Sequence, residues 1–110
     1  MTDKIVVFTT CGSEEEAHML ASALIEKRLA ACVNITAPVT SVYRWKGAVE
    51  QATEWILVIK SRRELFEPLR VLLESAHSYE LPEVLAVPVV EGSPTYLAWL
   101  DAETSEVRGA

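Results

Sequence analysis

Residues 33–60, VNITAPVTSVYRWKGAVEQATEWILVIK, decide the fold, because they are typical of one β-hairpin with unusually long arms. Strands in globular proteins run ~5–6 residues, whereas each arm here can run about twice that length before any strong breaker except Pro38. Gly47 supplies the glycine that a tight reversal needs. The distal half carries Tyr43 and Trp45, so it would extend beyond its own sheet and expose apolar surface. A second copy of the chain is the simplest partner to cover that surface.

The segment before the hairpin is predicted to be a strand followed by a helix. Residues 5–8, IVVF, form a continuous apolar run of the kind that marks a strand buried on both faces. Ser13 is followed three residues later by Glu16, which is the pattern of a capping box. The helix that starts there is expected to continue to about Arg28.

The segment after the hairpin repeats this pattern. Residues 55–59, WILVI, read as another buried strand, and Ser61 followed by Glu64 is a second capping box. Pro68 falls inside the apolar stripe of the second helix. Because proline in a helix interior costs ~3 kcal/mol, we expect either a kink or a helix start later than the cap suggests.

The element order predicts an α+β fold of the ferredoxin-like type. Residues 84–90 form a fourth strand, and Ser93 followed by Pro94 starts a short C-terminal helix, so the order is βαββαβ plus that helix. Proline cannot donate to a strand ladder, so Pro38 and Pro88 place strands two and four at the edges. The predicted antiparallel sheet order is therefore 4-1-3-2, with a long hairpin between strands two and three.

Composition limits the classes of function. A chain of 110 residues has room for one core, and we expect residues 1–102 to form a single domain and residues 103–110 a flexible tail. Ten basic residues against sixteen acidic ones give a net charge of −6, which repels phosphate backbones, so no nucleic-acid partner is predicted. No apolar run approaches the ~20 residues that cross a bilayer, and no secretory signal is visible. We therefore predict a cytoplasmic protein with no membrane partner.

The sequence lacks the residue patterns of iron–sulfur proteins, of soft-metal chaperones and of enzymes. An iron–sulfur cluster needs four cysteine ligands, and the chain has two cysteines. A soft-metal chaperone of this fold has a Cys-x-x-Cys motif, but Cys11 is followed three residues later by Glu14. No Ser-His-acid, paired-carboxylate or phosphate-cradling arrangement can be drawn. We predict that the protein is not an enzyme and uses no organic cofactor.

Five segments resemble the CutA family of divalent-cation tolerance proteins. They are LIEKRLAACVNI (24–35), SVYRWKG (41–47), the arm ending in LVIK (57–60), AHSYELPEVLAVPV (76–89) and YLAWL (96–100). The resemblance implies a cytoplasmic, ferredoxin-like homotrimer, related in architecture to PII signalling proteins, in which the long hairpins pair between subunits. It also implies binding of divalent metal ions, copper above all.

The copper ligands that the resemblance implies match only in part. Thr9 stands where some members have a cysteine, and Ala76 and His77 stand where they have two adjacent histidines. Cys11 lies on the same face as Thr9, about 6.6 Å further along an extended strand. It also precedes a helix N-terminus, where the dipole can lower a thiol pKa. We therefore predict His77, Cys11 and a carboxylate such as Glu83 as ligands of Cu²⁺ or a similar divalent ion.

Other hypotheses stay open at this stage. One is a PII-like module whose clefts between subunits hold a small anion or a partner protein, with incidental metal binding; another is a structural trimer used as a scaffold. Cys11 is also consistent with a packed loop residue, and His77 with a helix cap. The corner at residues 79–83, YELPE, fits either an interface pocket or a shaped turn.

Overall fold

The fold is given by a computed structural model that describes residues 1–105. Its elements are β1 (Lys4–Cys11), α1 (Glu14–Glu26), β2 (Cys32–Ile35), β3 (Val39–Trp45), β4 (Ala48–Arg62), α2 (Phe66–Ala76), β5 (Leu85–Pro88) and α3 (Pro94–Glu103). The strands are antiparallel neighbours in the order β2-β4-β1-β5, and β3 pairs with β4 beyond β2. With β2 and β3 counted as one arm, this confirms the predicted ferredoxin-like order 4-1-3-2.

β1 lies at the centre of the sheet, and one of its two faces is buried in the core. Alternate residues of this strand are buried, from Ile5 and Val7 through Thr9 to Cys11. Three of them belong to one apolar cluster with the inward residues of the two covering helices, namely Leu20, Leu24, Leu69 and Leu73. The alternation confirms that Thr9 and Cys11 share a face, and it carries Cys11 into the interior at the end of the strand.

The long hairpin has the form predicted from residues 33–60. β4 is 15 residues long; residues 55–62 pair with β1, whereas residues 48–54 pair only with β3. The turn places Lys46 at φ 48° and Gly47 at φ 84°, as a type I′ turn requires. Val42 and Val49 in the distal half are 61% and 65% exposed. The outer half of the hairpin therefore projects beyond the sheet and leaves apolar side chains uncovered.

The second helix begins later than its apparent cap. Ser61 was predicted to be a helix cap, and this is wrong: it is buried in β4 and its hydroxyl donates to the Leu29 carbonyl at 2.6 Å. A single 3-10 turn then precedes α2, which begins at Phe66. Pro68 consequently falls in the first helical turn, where its missing N–H costs little. The later helix start predicted from Pro68 is confirmed.

The C-terminal segment packs back on β4 as far as the structure describes it. α3 ends at Glu103, and Thr104 is 3% exposed and accepts a hydrogen bond from Arg62 Nε at 2.8 Å. These residues belong to the segment predicted to be a flexible tail, of which residues 106–110 lie outside the described residues. Within residues 1–105, no helix combines the length and apolar character that a membrane crossing requires.

Candidate metal centre

The His77 ring is held in a defined tautomer. Its side chain is fully buried just after the last residue of α2. Nδ1 accepts a hydrogen bond from the Tyr79 backbone N–H at 3.1 Å, and Nε2 lies 2.7 Å from the Thr10 carbonyl oxygen. Because a backbone N–H can only donate, the lone pair is on Nδ1 and the Nε2 hydrogen is donated to Thr10. A metal-binding histidine makes this kind of bond with its second nitrogen, so Nδ1 is the candidate ligand atom.

Glu16 reaches from α1 to the same place. Its Oε1 lies 3.9 Å from His77 Nδ1, and its carboxylate accepts hydrogen bonds from Ser78 N at 3.0 Å and Ser78 Oγ at 3.1 Å. The Glu16 N–H donates to Ser13 Oγ at 3.1 Å, so one half of the predicted capping box is confirmed. The carboxylate crosses to the loop after α2 rather than returning to the cap, which is why the sequence did not indicate Glu16 as a site residue.

Cys11 completes a group of three potential ligands. Its Sγ, a Glu16 carboxylate oxygen and a His77 ring nitrogen all lie within 4.8 Å of one another. Burial raises the pKa of the Cys11 thiol to about 12, and the charges of Glu16 and Glu54 contribute to the rise. The expectation that the α1 dipole lowers this pKa is wrong, because burial and two carboxylates outweigh the dipole. A cation at this site must therefore displace the thiol proton.

The three donors fit a divalent transition metal. Metal bonds to nitrogen, oxygen and sulfur of ~2.0–2.3 Å place tetrahedral ligand atoms roughly 3–4 Å apart. The separations here, 3.9 Å between His77 Nδ1 and Glu16 Oε1 and at most 4.8 Å over the group, are close to that range. Imidazole, thiol and carboxylate together suit Cu²⁺ or Zn²⁺. Small side-chain shifts would bring the donors together once the Tyr79 N–H leaves Nδ1.

Glu83, the carboxylate predicted from the sequence, lies elsewhere. It is exposed and lines an open groove of about 760 Å³. The structure thus brings His77 and Cys11 together with Glu16, and places Glu83 in the groove beside Tyr79 and Glu80.

Tyr79 connects the cluster to the groove. Its ring centre is 4.7 Å from that of His77, and its hydroxyl donates to Glu54 Oε2 at 2.8 Å. Burial, and then this hydrogen bond, raise the pKa of the Tyr79 hydroxyl. The corner after α2 therefore contacts the cluster through Tyr79 and forms one wall of the groove.

Residues 5–103 match the model of the family described as CutA1 divalent ion tolerance protein. The chain belongs to the CutA1 family. Protein CutA of Mus musculus is 44% identical over 94% of this chain but is longer, so the chain spans 58% of its length. The divalent-cation tolerance protein CutA of Thermus thermophilus is 44% identical over 90% of this chain and 96% of its own length.

A solved structure confirms the fold. The divalent cation tolerance protein from Thermus thermophilus superposes with a TM-score of 0.90 at 43% identity, covering 93% of this chain and 99% of that one. The CutA1 match also confirms the family resemblance drawn from the five sequence segments.

Proposed function

We propose that this CutA1 family member contributes to metal tolerance as a cation-binding protein rather than an enzyme, with Cu²⁺ as the leading ion. The observation that supports the proposal most strongly is the His77 tautomer. Its unprotonated Nδ1, which now accepts from the Tyr79 N–H, lies 3.9 Å from Glu16 Oε1 in one group with Cys11, while Nε2 is anchored on the Thr10 carbonyl. This is the arrangement that orients an imidazole for a metal.

The proposed site consists of three ligands and one supporting group. His77 Nδ1, Cys11 Sγ and the Glu16 carboxylate hold the cation, and Thr10 keeps the ring in place. The bound cation supplies a Lewis acid charge that keeps the thiol deprotonated. Binding also takes the place of the Tyr79 N–H on Nδ1, so the loop at Ser78 and Tyr79 must shift. Glu83, which was predicted as a ligand, instead adds negative charge to the groove beside Tyr79 and attracts cations towards the cluster.

The assembly and location that we propose follow the sequence-based expectations. A homotrimer would cover the exposed distal half of the hairpin, where Val42, Tyr43 and Val49 are all more than 40% exposed. Both cysteines are free thiols, which accords with a reducing cytoplasm. The net charge of −6 argues against nucleic-acid binding.

Removing the His77 imidazole is expected to weaken Cu²⁺ binding at least tenfold, because one of three ligands and the only anchored nitrogen are lost. Calorimetric titration of His77→Ala against the wild type measures the effect, with Zn²⁺ in parallel because Cu²⁺ can oxidise thiols. The chain has two histidines, and His18 is 66% exposed on α1, so His18→Ala is the matched control and is expected to bind normally.

A second variant separates ligand loss from misfolding. Glu16→Gln keeps one oxygen that accepts from the Ser78 N–H, and its amide NH2 can donate to Ser78 Oγ, but it loses the charge. It is expected to weaken binding while its thermal unfolding stays close to that of the wild type. Equal affinity of the wild type and His77→Ala would remove the proposed site.

A further inference from the structure

Tyr79 is fixed at both ends. Its backbone N–H donates to His77 Nδ1 at 3.1 Å, and its hydroxyl donates to Glu54 Oε2 at 2.8 Å. The ring between these two bonds lies 4.7 Å, centre to centre, from the His77 ring. Its hydroxyl end is also close to Gly12, where a Cβ atom would stand 3.0 Å from the hydroxyl oxygen. Tyr79 therefore cannot move far unless one of its two hydrogen bonds breaks.

The corner that carries Tyr79 is held by side chains rather than by a strand ladder. Among residues 1–105, residues 78–83 take part in no backbone–backbone hydrogen bond. Ser78 donates through its N–H and its hydroxyl to the Glu16 carboxylate, and Tyr79 makes the two bonds given above. A segment fixed in this way rearranges locally without disturbing the sheet or the helices.

A cation and Tyr79 compete for the same nitrogen atom. The neutral His77 ring has one lone pair at Nδ1, so it cannot accept from the Tyr79 N–H and bind a cation at the same time. Each oxygen of the Glu16 carboxylate has two lone pairs, so Glu16 can bind a cation and still accept from Ser78. The competition is therefore confined to Tyr79. When its backbone retreats from Nδ1, its ring moves with it and the hydroxyl leaves Glu54.

We propose that Tyr79 is a positioning residue that sets the affinity of the cation site, because a cation binds His77 only when the Tyr79–Glu54 hydrogen bond breaks. This inference rests on the proposed cation site and adds a means of regulating it. Glu54 lies at the base of the projecting half of the hairpin, so the bond links the site to the element that we propose contacts other copies. The link is reciprocal: holding Tyr79 on Glu54 weakens cation binding, and a bound cation releases Glu54.

Tyr79→Phe tests the proposal, because it keeps the ring and the backbone N–H but has no hydroxyl. Zn²⁺ is the probe, titrated calorimetrically into the metal-free protein in its native oligomeric state. The variant is expected to bind Zn²⁺ about tenfold more tightly than the wild type, because a hydrogen bond to a charged group no longer has to break. Tyr96→Phe, the same change at an exposed residue of α3, is expected to match the wild type. A residue that only supported the fold of the site would instead weaken binding when altered.

Amide hydrogen exchange, followed by NMR, gives a second measurement on the unaltered chain. The Tyr79 N–H is expected to exchange severalfold faster with Zn²⁺ bound than in the metal-free protein, because it loses its acceptor. A Tyr79 N–H that keeps its protection in the Zn²⁺-bound protein would overturn the proposal.

The titrations also distinguish this inference from the proposed function. Measurable but equal affinities of the wild type and Tyr79→Phe, or weaker binding by the variant, overturn the inference and leave the cation site in place. An equal gain in Tyr96→Phe overturns it too, since the effect would not depend on the bond to Glu54. Absence of Zn²⁺ binding in all three proteins removes the cation site and this inference together.

Discussion

Iodoacetamide is expected to modify Cys11 at pH 8 at least about a hundredfold more slowly in the folded protein than in the same protein unfolded in urea. Burial raises the thiol pKa from its ordinary 9.0 to about 12, which lowers the thiolate fraction at pH 8 about a thousandfold. The more basic thiolate is intrinsically more nucleophilic, which recovers about twentyfold. Full burial of the side chain then slows the reagent further.

The pH dependence of alkylation has a definite sign. Since the pKa is raised, the folded thiol stays protonated from pH 8 to 10, and its rate is expected to rise about tenfold per pH unit over that range. Peptide mass spectrometry measures Cys11 and Cys32 in one sample. Cys32 is only half-buried, with Lys60 Nζ 3.9 Å from its Sγ, and serves as the internal comparison. Modification of Cys11 in the folded protein as fast as in urea would contradict its burial among carboxylates.

Shortening the hairpin is expected to convert the proposed trimer into a monomer. Ser41 and Ala52 are directly paired across the hairpin, so an Asn-Gly dipeptide in place of residues 42–51 closes the shortened arms with the same turn type. The change removes the exposed Val42, Tyr43 and Val49, which we propose contact other copies, and leaves the pairing of β4 with β1 intact.

Light scattering checks this prediction. The wild type is expected at about three times the 12.2 kDa of one chain, and the shortened protein at the mass of a single chain. Lys46→Asn changes the turn but keeps the hairpin length, so it is expected to remain trimeric. A wild type that is monomeric at micromolar concentration, or a shortened protein that stays trimeric, would show that the hairpin does not assemble the chain.

The sequence predicted the architecture well because the deciding signals are local. Apolar runs, the Ser13 cap and the glycine turn each depend on a few neighbouring residues, and the proline rule orders the strands without knowledge of any contact. The prediction that Ser61 caps the second helix was wrong because a capping-box pattern does not reveal whether the chain has left its strand. The hydroxyl instead satisfies the Leu29 carbonyl, 32 residues away in sequence.

The candidate site was predicted only in part because it depends on long-range contacts. Cys11 and His77 were indicated by residue type and family pattern, and the structure brings them together. Glu16 was missed because its side chain meets Ser78, 62 residues away. Glu54 was missed as well, because its burial depends on the contact with Tyr79, 25 residues away in sequence. The raised pKa of Cys11 follows first from burial and then from the charges of Glu16 and Glu54, none of which the sequence specifies.

The most direct test of the cation site is an anomalous difference map from crystals grown with Cu²⁺. The account predicts one strong peak per chain, about 2.0–2.1 Å from His77 Nδ1, with Cys11 Sγ and a Glu16 oxygen in its coordination sphere and the Nε2 bond to Thr10 retained. A peak only at other residues, with Tyr79 N–H still donating to His77 Nδ1, would contradict it.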